Sequence, residues 1–429
     1  MLGCAKFPPV LFDRSTVVAL QHRNFRLLWL GTFVSMSGSM MRQAAILWHV
    51  SLLVPEGQKA IALGGVGLVR AVPIVLCSLI AGVVADAFDR RRLLLVTNSV
   101  MFLISSALAL ITLTGVHNVG TVYALAALSA AAGVFDNPAR NSFFPALVPR
   151  EHLANAIGLN SILFQAASVM GPVFAGALIA RASVGWVYVA DASSFVVLIG
   201  SLLALRDVPK RPAAGRSALT LSAAWEGVRF VFGKPLIRSS MLLDFFATFF
   251  ASATALLPIF AQDVLHVGAD GYGLLVSASA AGAVLTSLLM VRMIDLIQRR
   301  GQVLIAAAVA YGVFTVAFGL SQLFWLSFLC LFLSGAADMV STVLRNVIRQ
   351  LATPDEMRGR MTSVNMVFFM GGPQLGELEA GVVAQAFGPV GAVASGGIGC
   401  VLAVLFIAWR TPALVNYRQE AAVQAAATP

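Results

Sequence analysis

The chain has 429 residues, of which 59% are hydrophobic and 11% charged, with a formal net charge of +10. Ordinary globular proteins carry about 25% charged residues, so this composition cannot clothe a water-facing surface. It excludes a soluble enzyme, a secreted disulfide scaffold and a disordered regulator, and leaves a polytopic membrane protein.

In chain order, apolar runs of spanning length fall near 26–54, 61–85, 93–115, 119–139, 153–181 and 185–205. A polar break follows, and six more runs lie near 236–263, 270–293, 302–321, 323–350, 360–386 and 389–409. The expected fold is an all-α integral membrane protein with twelve transmembrane helices. Lys59 and Arg181 fall in loops on one face, and Arg42 and Arg70 inside spans. The other Lys and Arg residues gather at the opposite face, which the positive-inside rule makes cytoplasmic. Both termini, 1–25 and 411–429, are expected there too, and the N-terminus is expected to be retained, since no cleavage site follows the first run. The excess positive charge is accounted for by topology, with no nucleic-acid partner. Cys4, Cys77, Cys330 and Cys400 show no metal or redox spacing, so neither a disulfide, a metal site nor a cofactor is expected.

The connection 206–235 divides the chain into bundles at 26–205 and 236–410. It opens RDVPKRPAAGRSA, basic and flexible, and continues with Leu221, Trp225, Val228 and Phe232 at helical spacing. That pattern predicts an amphipathic helix along the cytoplasmic membrane surface.

The halves repeat. Arg140-Asn141, Pro149, Asn160, Gly171 and Ala175-Gly176 recur 205 positions later as Arg345-Asn346, Pro354, Asn365, Gly376 and Ala380-Gly381. At a slightly different offset, Asp86 with Arg90 and Arg91 is echoed by Asp295 with Arg299 and Arg300. Two six-helix units in the same orientation predict a transporter with its substrate path between them.

The stretch GVVADAFDRRR, Gly82 to Arg92, resembles the loop signature of the major facilitator superfamily. A carboxylate at Asp86 facing the Arg90 and Arg91 cluster and a neighbouring helix N-terminus can latch the cytoplasmic side in one state and release it in another. The second copy, Asp295, Arg299 and Arg300, has Val291 in place of the Gly, so it is expected to be the weaker latch. NFRLLWLG, FDNPAR at 135–140, PALVP at 145–149, AWEGVRFV at 224–231 and GELEAG at 376–381 resemble the branch that includes siderophore and macrolide exporters. GPVFAG, comprising Gly171, Pro172 and Gly176 with Ala175 in place of the motif's usual Gly, resembles the antiporter motif of that superfamily. The fourth span departs from many proton-coupled antiporters in lacking their buried Arg.

Ionisable groups within spans are costly and usually functional. Arg42, Arg70, Asp191, Asp244, Asp338, Glu377 and Glu379 are therefore the candidates for proton coupling or for the cavity, with Asp136 and Arg345 nearer the cytoplasmic ends. Glu377 and Glu379 replace Pro172 and Phe174 of the first half, and each can exchange a proton or pair statically with Arg42 or Arg70. Gln43, Trp48 and Asn365 are further candidates for substrate contact, in a cavity expected to be largely apolar and aromatic. Phe245, Phe246, Phe249 and Phe250 go around the seventh span, and some of them must face lipid.

With no nucleotide-binding Gly-rich loop, the resemblance implies a monomeric, proton-coupled antiporter that moves a small amphipathic compound outward through the bilayer. An importer of the same fold, or an intramembrane lipid-modifying enzyme, are the alternatives. Arg42 and Arg70 would suit an anionic, catechol-like ligand; Glu377 and Glu379 would suit a cationic drug.

Overall fold

The computed structural model describes residues 14–115, 118–206, 221–252 and 254–418. The expectations for Cys4, for the flexible part of the linker and for the C-terminal tail beyond 418 lie outside the described residues.

The first half holds α1 (Arg23–Leu53), α2 (Lys59–Ala87), α3 (Arg90–Leu113), α4 (Val119–Phe143), α5 (Leu153–Arg181) and α6 (Val184–Leu203). After α7 (Leu221–Gly233), the second half holds α8 (Pro235–Phe250), α9 (Gly268–Met293), α10 (Arg300–Leu320), α11 (Phe324–Ala352) and α12 (Arg358–Arg410). Ten of the described helical stretches are long and apolar enough to cross a membrane. α1 is not one of them, because Arg42, Gln43 and His49 lower its apolarity, although its 31 residues suffice in length. α12 has 53 residues, about 80 Å at 1.5 Å per residue, far beyond the ~30 Å of a bilayer's hydrocarbon core. It is interrupted at Gly388, where φ is 78° and ψ 164°, a conformation open to glycine, and Pro389 starts the next segment.

The seventh span differs from the uninterrupted run expected over 236–263. α8 stops at Phe250, and the chain resumes as Leu257–Ile259 and a π-helical turn, Phe260–Val264. Pro258 explains the restart, since it lacks an N–H and its ring clashes with the carbonyl four residues back.

Helix contacts repeat in the two halves. α1 packs on α5 and α6, α3 on α4 and α6, and α2 on α4; correspondingly, α8 and α10 pack on α12, α10 on α11, and α9 on α11. The halves meet along two seams, α2 against α12 and α5 against α9. α7 forms as the linker pattern predicted, but it docks through Val231, with Phe230, beside Ile237, Met241 and Met361, and Glu226 pairs with Arg360 at 2.9 Å. Trp225 stays 70% exposed.

Candidate transport site

The two seams are equivalent under the internal repeat. A methyl group placed on Gly176 of α5 would lie 2.5 Å from the Ala269 carbonyl and 2.9 Å from Cα of Gly273 in α9. One placed on Gly381 of α12 would lie 2.7 Å from both the Ala60 carbonyl and Cα of Gly64 in α2. Real Cβ atoms do not approach backbone this closely, so only glycine permits either contact. The shift that relates Asp86 to Asp295 also relates Ala60 to Ala269 and Gly64 to Gly273. The facing carbonyls are equivalent as well: Pro172 O against Gly273, and Glu377 O against Gly64.

Cross-half hydrogen bonds of the described residues gather at the face opposite the arginine-rich loops. Lys59 Nζ lies 3.3 Å from the Asp263 carboxylate, Gln262 donates to Ser51 Oγ at 2.8 Å, Gln385 to the Gly57 carbonyl at 2.6 Å, and Tyr272 to the Ala44 carbonyl at 2.8 Å. Trp48 packs on Tyr272, ring centroids 5.1 Å apart. Towards the basic face, Ile157 and Phe164 of α5 and Met366 and Phe369 of α12 are exposed. A cavity of about 250 Å³ lies between, reaching from Ile46 and Arg70 to Asn137 and Arg140 in the last turns of α4. The molecule is closed at one face and has its cavity on the side of the other.

Three buried charge clusters lie within the two halves, and the two of the first half border the cavity. Arg42 Nε pairs with Asp191 at 2.6 Å, Ser105 donates to the same carboxylate at 2.6 Å, and Arg42 also donates to Ser129. This bridge ties α1, α3, α4 and α6 together, and α4 also carries a buried arginine of its own, Arg140, just beyond the run expected for the fourth span. Asp136 pairs with Arg140 and accepts from Thr97 at 2.9 Å and Asn98 at 2.8 Å. In the second half, Asp244 lies 2.9 Å from Arg345 and 3.5 Å from Arg349, and Asp338 lies 3.4 Å from Arg345. Arg349 also bonds Asn365. Removing one member of such a buried pair strands the other, at a cost of about 3–5 kcal/mol.

Glu377 stands apart. It is buried in the α2–α12 seam, where a methyl on Gly67 would be 3.0 Å from its Oε2. That oxygen is buried without a hydrogen-bond partner among the described residues. Arg70, one turn further along α2, is the cation whose field acts on it. Glu379 is half-buried and forms no ion pair among the described residues.

The loop signature is placed only in part. Gly82 and Asp86 fall in the last turns of α2, and the Asp86 side chain lies outside the described residues. Arg90 donates to the Ser142 carbonyl at 3.0 Å and Arg91 to the Leu203 carbonyl at 3.1 Å, near the negative ends of α4 and α6. Asp89 caps α3 by accepting from the Arg92 N–H at 2.9 Å. In the second copy Asp295 and Arg299 are exposed while Arg300 is buried, where the Gly301 N–H donates to the Tyr417 carbonyl at 3.1 Å. Gly171 lets α5 approach α1 beside Ser37. Gln43 lines the cavity, whereas Trp48 belongs to the closed face and Asn365 to the Arg349 cluster. The four phenylalanines stack along α8 in pairs, Phe245 with Phe249 and Phe246 with Phe250.

A family model described as transmembrane secretion effector, of the major facilitator superfamily, matches residues 14–426. The chain belongs to this family. It is therefore a transporter and not an enzyme, and a multi-pass protein of the cytoplasmic membrane. Among its relatives, the enterobactin exporter EntS of Citrobacter koseri is 26% identical over 410 residues, covering 93% of this chain and 94% of the relative. EntS of Escherichia coli is 25% identical over 403 residues, covering 93% and 94%. Solved structures share the fold. A bacterial homologue of the human lysosomal transporter Spinster, inward-facing and unoccupied, has TM-score 0.70 and 16% identity, with 92% of this chain and 96% of that one covered. The nucleoside transporter NupG has TM-score 0.70 and 15% identity, covering 92% and 100%.

Sequence reasoning missed the closed-face contacts of Lys59, Gln262, Asp263 and Tyr272, which join residues some two hundred positions apart. It also missed the methionines of the cavity wall, Met36, Met40, Met101 and Met370. Their scatter over three spans leaves no local signal.

Proposed function

We infer that the protein is a secondary active exporter, moving a small amphipathic organic compound out of the cytoplasm by alternating access. Twelve crossings in two bundles, 26–205 and 236–410, place both termini in the cytoplasm, and protons entering the cell supply the driving force. A single observation carries this reading: a cavity on the basic side is bordered by α2 and α12, whose glycine seam encloses a Glu377 carboxylate oxygen that has no partner among the described residues. A group enclosed when that seam closes and hydrated when it opens meets the two sides of the membrane in turn. A proton there shifts the conformational equilibrium by binding the two states differently. The exporter names of the relatives support the outward direction, and a siderophore or a drug is the cargo they suggest.

Counterflow and proton-gradient-driven uptake in everted membrane vesicles test this reading. Accumulation inside everted vesicles that collapses with an uncoupler is expected; accumulation only in right-side-out vesicles makes the protein an importer. Reporter fusions after Arg92 and Lys210 should report cytoplasmic and one after Lys59 the far side, and either of the first two appearing outside overturns this topology.

A further inference from the structure

Three arginines line the cavity: Arg42, Arg70 and Arg140. Two are already occupied, Arg42 by Asp191 and Ser129 and Arg140 by Asp136. Arg70 has no ion pair or hydrogen bond among the described residues; the charged groups that act on it are Glu377 and Arg42, with the neutral phenols of Tyr272 and Tyr188 beside them. Neither phenol is turned to it, since Tyr272 donates to the Ala44 carbonyl at 2.8 Å and Tyr188 is paired with His49 Nδ1 at 3.2 Å. A guanidinium inside a membrane domain without a partner is expensive, and a ligand that supplies an anion relieves that cost.

We propose that Arg70 binds a two-oxygen anionic group, a carboxylate or an ionised catechol, on an amphipathic organic substrate, and that Glu377 is the protein's own rival for the same guanidinium. The planar fork of arginine matches two oxygens side by side. The methionines at 36, 40, 101 and 370, with Phe164, offer an apolar and conformable wall to the rest of the molecule. Glu377 is not part of that wall. It lies in the seam, packed against Gly67 one turn from Arg70, so Arg70 stands between the cavity and the seam. The anion and Glu377 cannot both be its closest partner. A shift of α2 against α12 that brings Glu377 onto Arg70 therefore expels the anion. This proposal rests on the export reading and deepens it.

The test is equilibrium binding to the purified full-length protein in lipid nanodiscs, with N-dansylglycine as the anionic probe and its carboxamide as the neutral match. Wild type should prefer the anion. Arg70→Gln should weaken the anion about tenfold or more, as loss of a charged hydrogen-bond pair does, and leave the amide unchanged, while Arg70→Lys should retain part of the preference. Glu377→Gln should tighten the anion several-fold, and the double variant should behave as Arg70→Gln. Melting temperature is read alongside; if Arg70→Gln does not fold, Arg70→Lys and Glu377→Gln carry the decision. Equal binding of the two probes by wild type, including no binding of either, overturns the proposal. So does an unchanged preference in Arg70→Gln, and weaker anion binding in Glu377→Gln removes the rivalry. Binding is independent of direction, so vesicles that import would sink the export reading and leave this site standing.

Discussion

The two seams between the halves follow one plan and differ in what faces their paired glycines. Gly176 and Gly273 make the α5–α9 seam, with Pro172 supplying the carbonyl; Gly381 and Gly64 make the α2–α12 seam, with Glu377 in the equivalent place. The shared part, a pair of glycines in backbone contact, is what two helices need to close tightly. The difference gives one seam a side chain that cannot ionise and the other one that can. Close packing is thus duplicated, and in the mechanism proposed above sensitivity to protons belongs to one side.

The comparison breaks most completely where the glycines are replaced. Gly381→Leu and Gly176→Leu should each abolish transport in vesicles, because the new side chain meets backbone, while Gly158→Ala, with open space around it, should transport normally. Unequal effects of the two leucines would mean that the seams are not functional equivalents. Next come the buried bridges that hold each half rigid. Asp191→Ala and Asp244→Ala should each lower stability by about 3–5 kcal/mol, seen as a large fall in melting temperature in detergent; a fall under about 1 kcal/mol would show the arginines repaired by water.

The facing position itself is sharpened by Glu377→Gln, which should end proton-driven efflux yet retain substrate binding, while Pro172→Ala leaves proton dependence intact. Full pumping by Glu377→Gln and by the Glu377/Glu379 double glutamine variant would move coupling to Asp191, Asp244 or Asp338. In the loops, Asp86→Asn should cut transport strongly with expression kept, and Asp295→Asn, whose carboxylate is exposed, should do less; equal wild-type rates would remove the latch. The smallest effect belongs to Lys59→Met. Its partner Asp263 has a side chain 41% exposed, and such a pair is worth about 1 kcal/mol or less, so transport should change no more than several-fold.

The last helix and the linker show how far the sequence reads directly. Apolar runs and the loop charges marked the spans, and the spacing of Trp225, Val228 and Phe232 marked α7, because each of these is a local property of the chain. The repeat also named the seam residues, Gly176 and Gly381, by their shared offset. Which side α7 docks was not legible, since Val231 and Phe230 rather than the exposed Trp225 face the bundle.

Residue types alone determined that this chain must live in a bilayer, that its basic loops gather on one side, and that its halves are copies, because hydrophobicity, charge and repetition are written in one dimension. The partners of the buried charges were decided only by the tertiary structure. Arg42 could have served Glu377, Glu379 or Asp191 as far as spacing went; packing α1 against α6 brought Asp191 within 2.6 Å and left Arg70 on the cavity wall with no ion pair among the described residues. Pairing across helices depends on which faces meet and at what depth, and sequence distance carries no information about either.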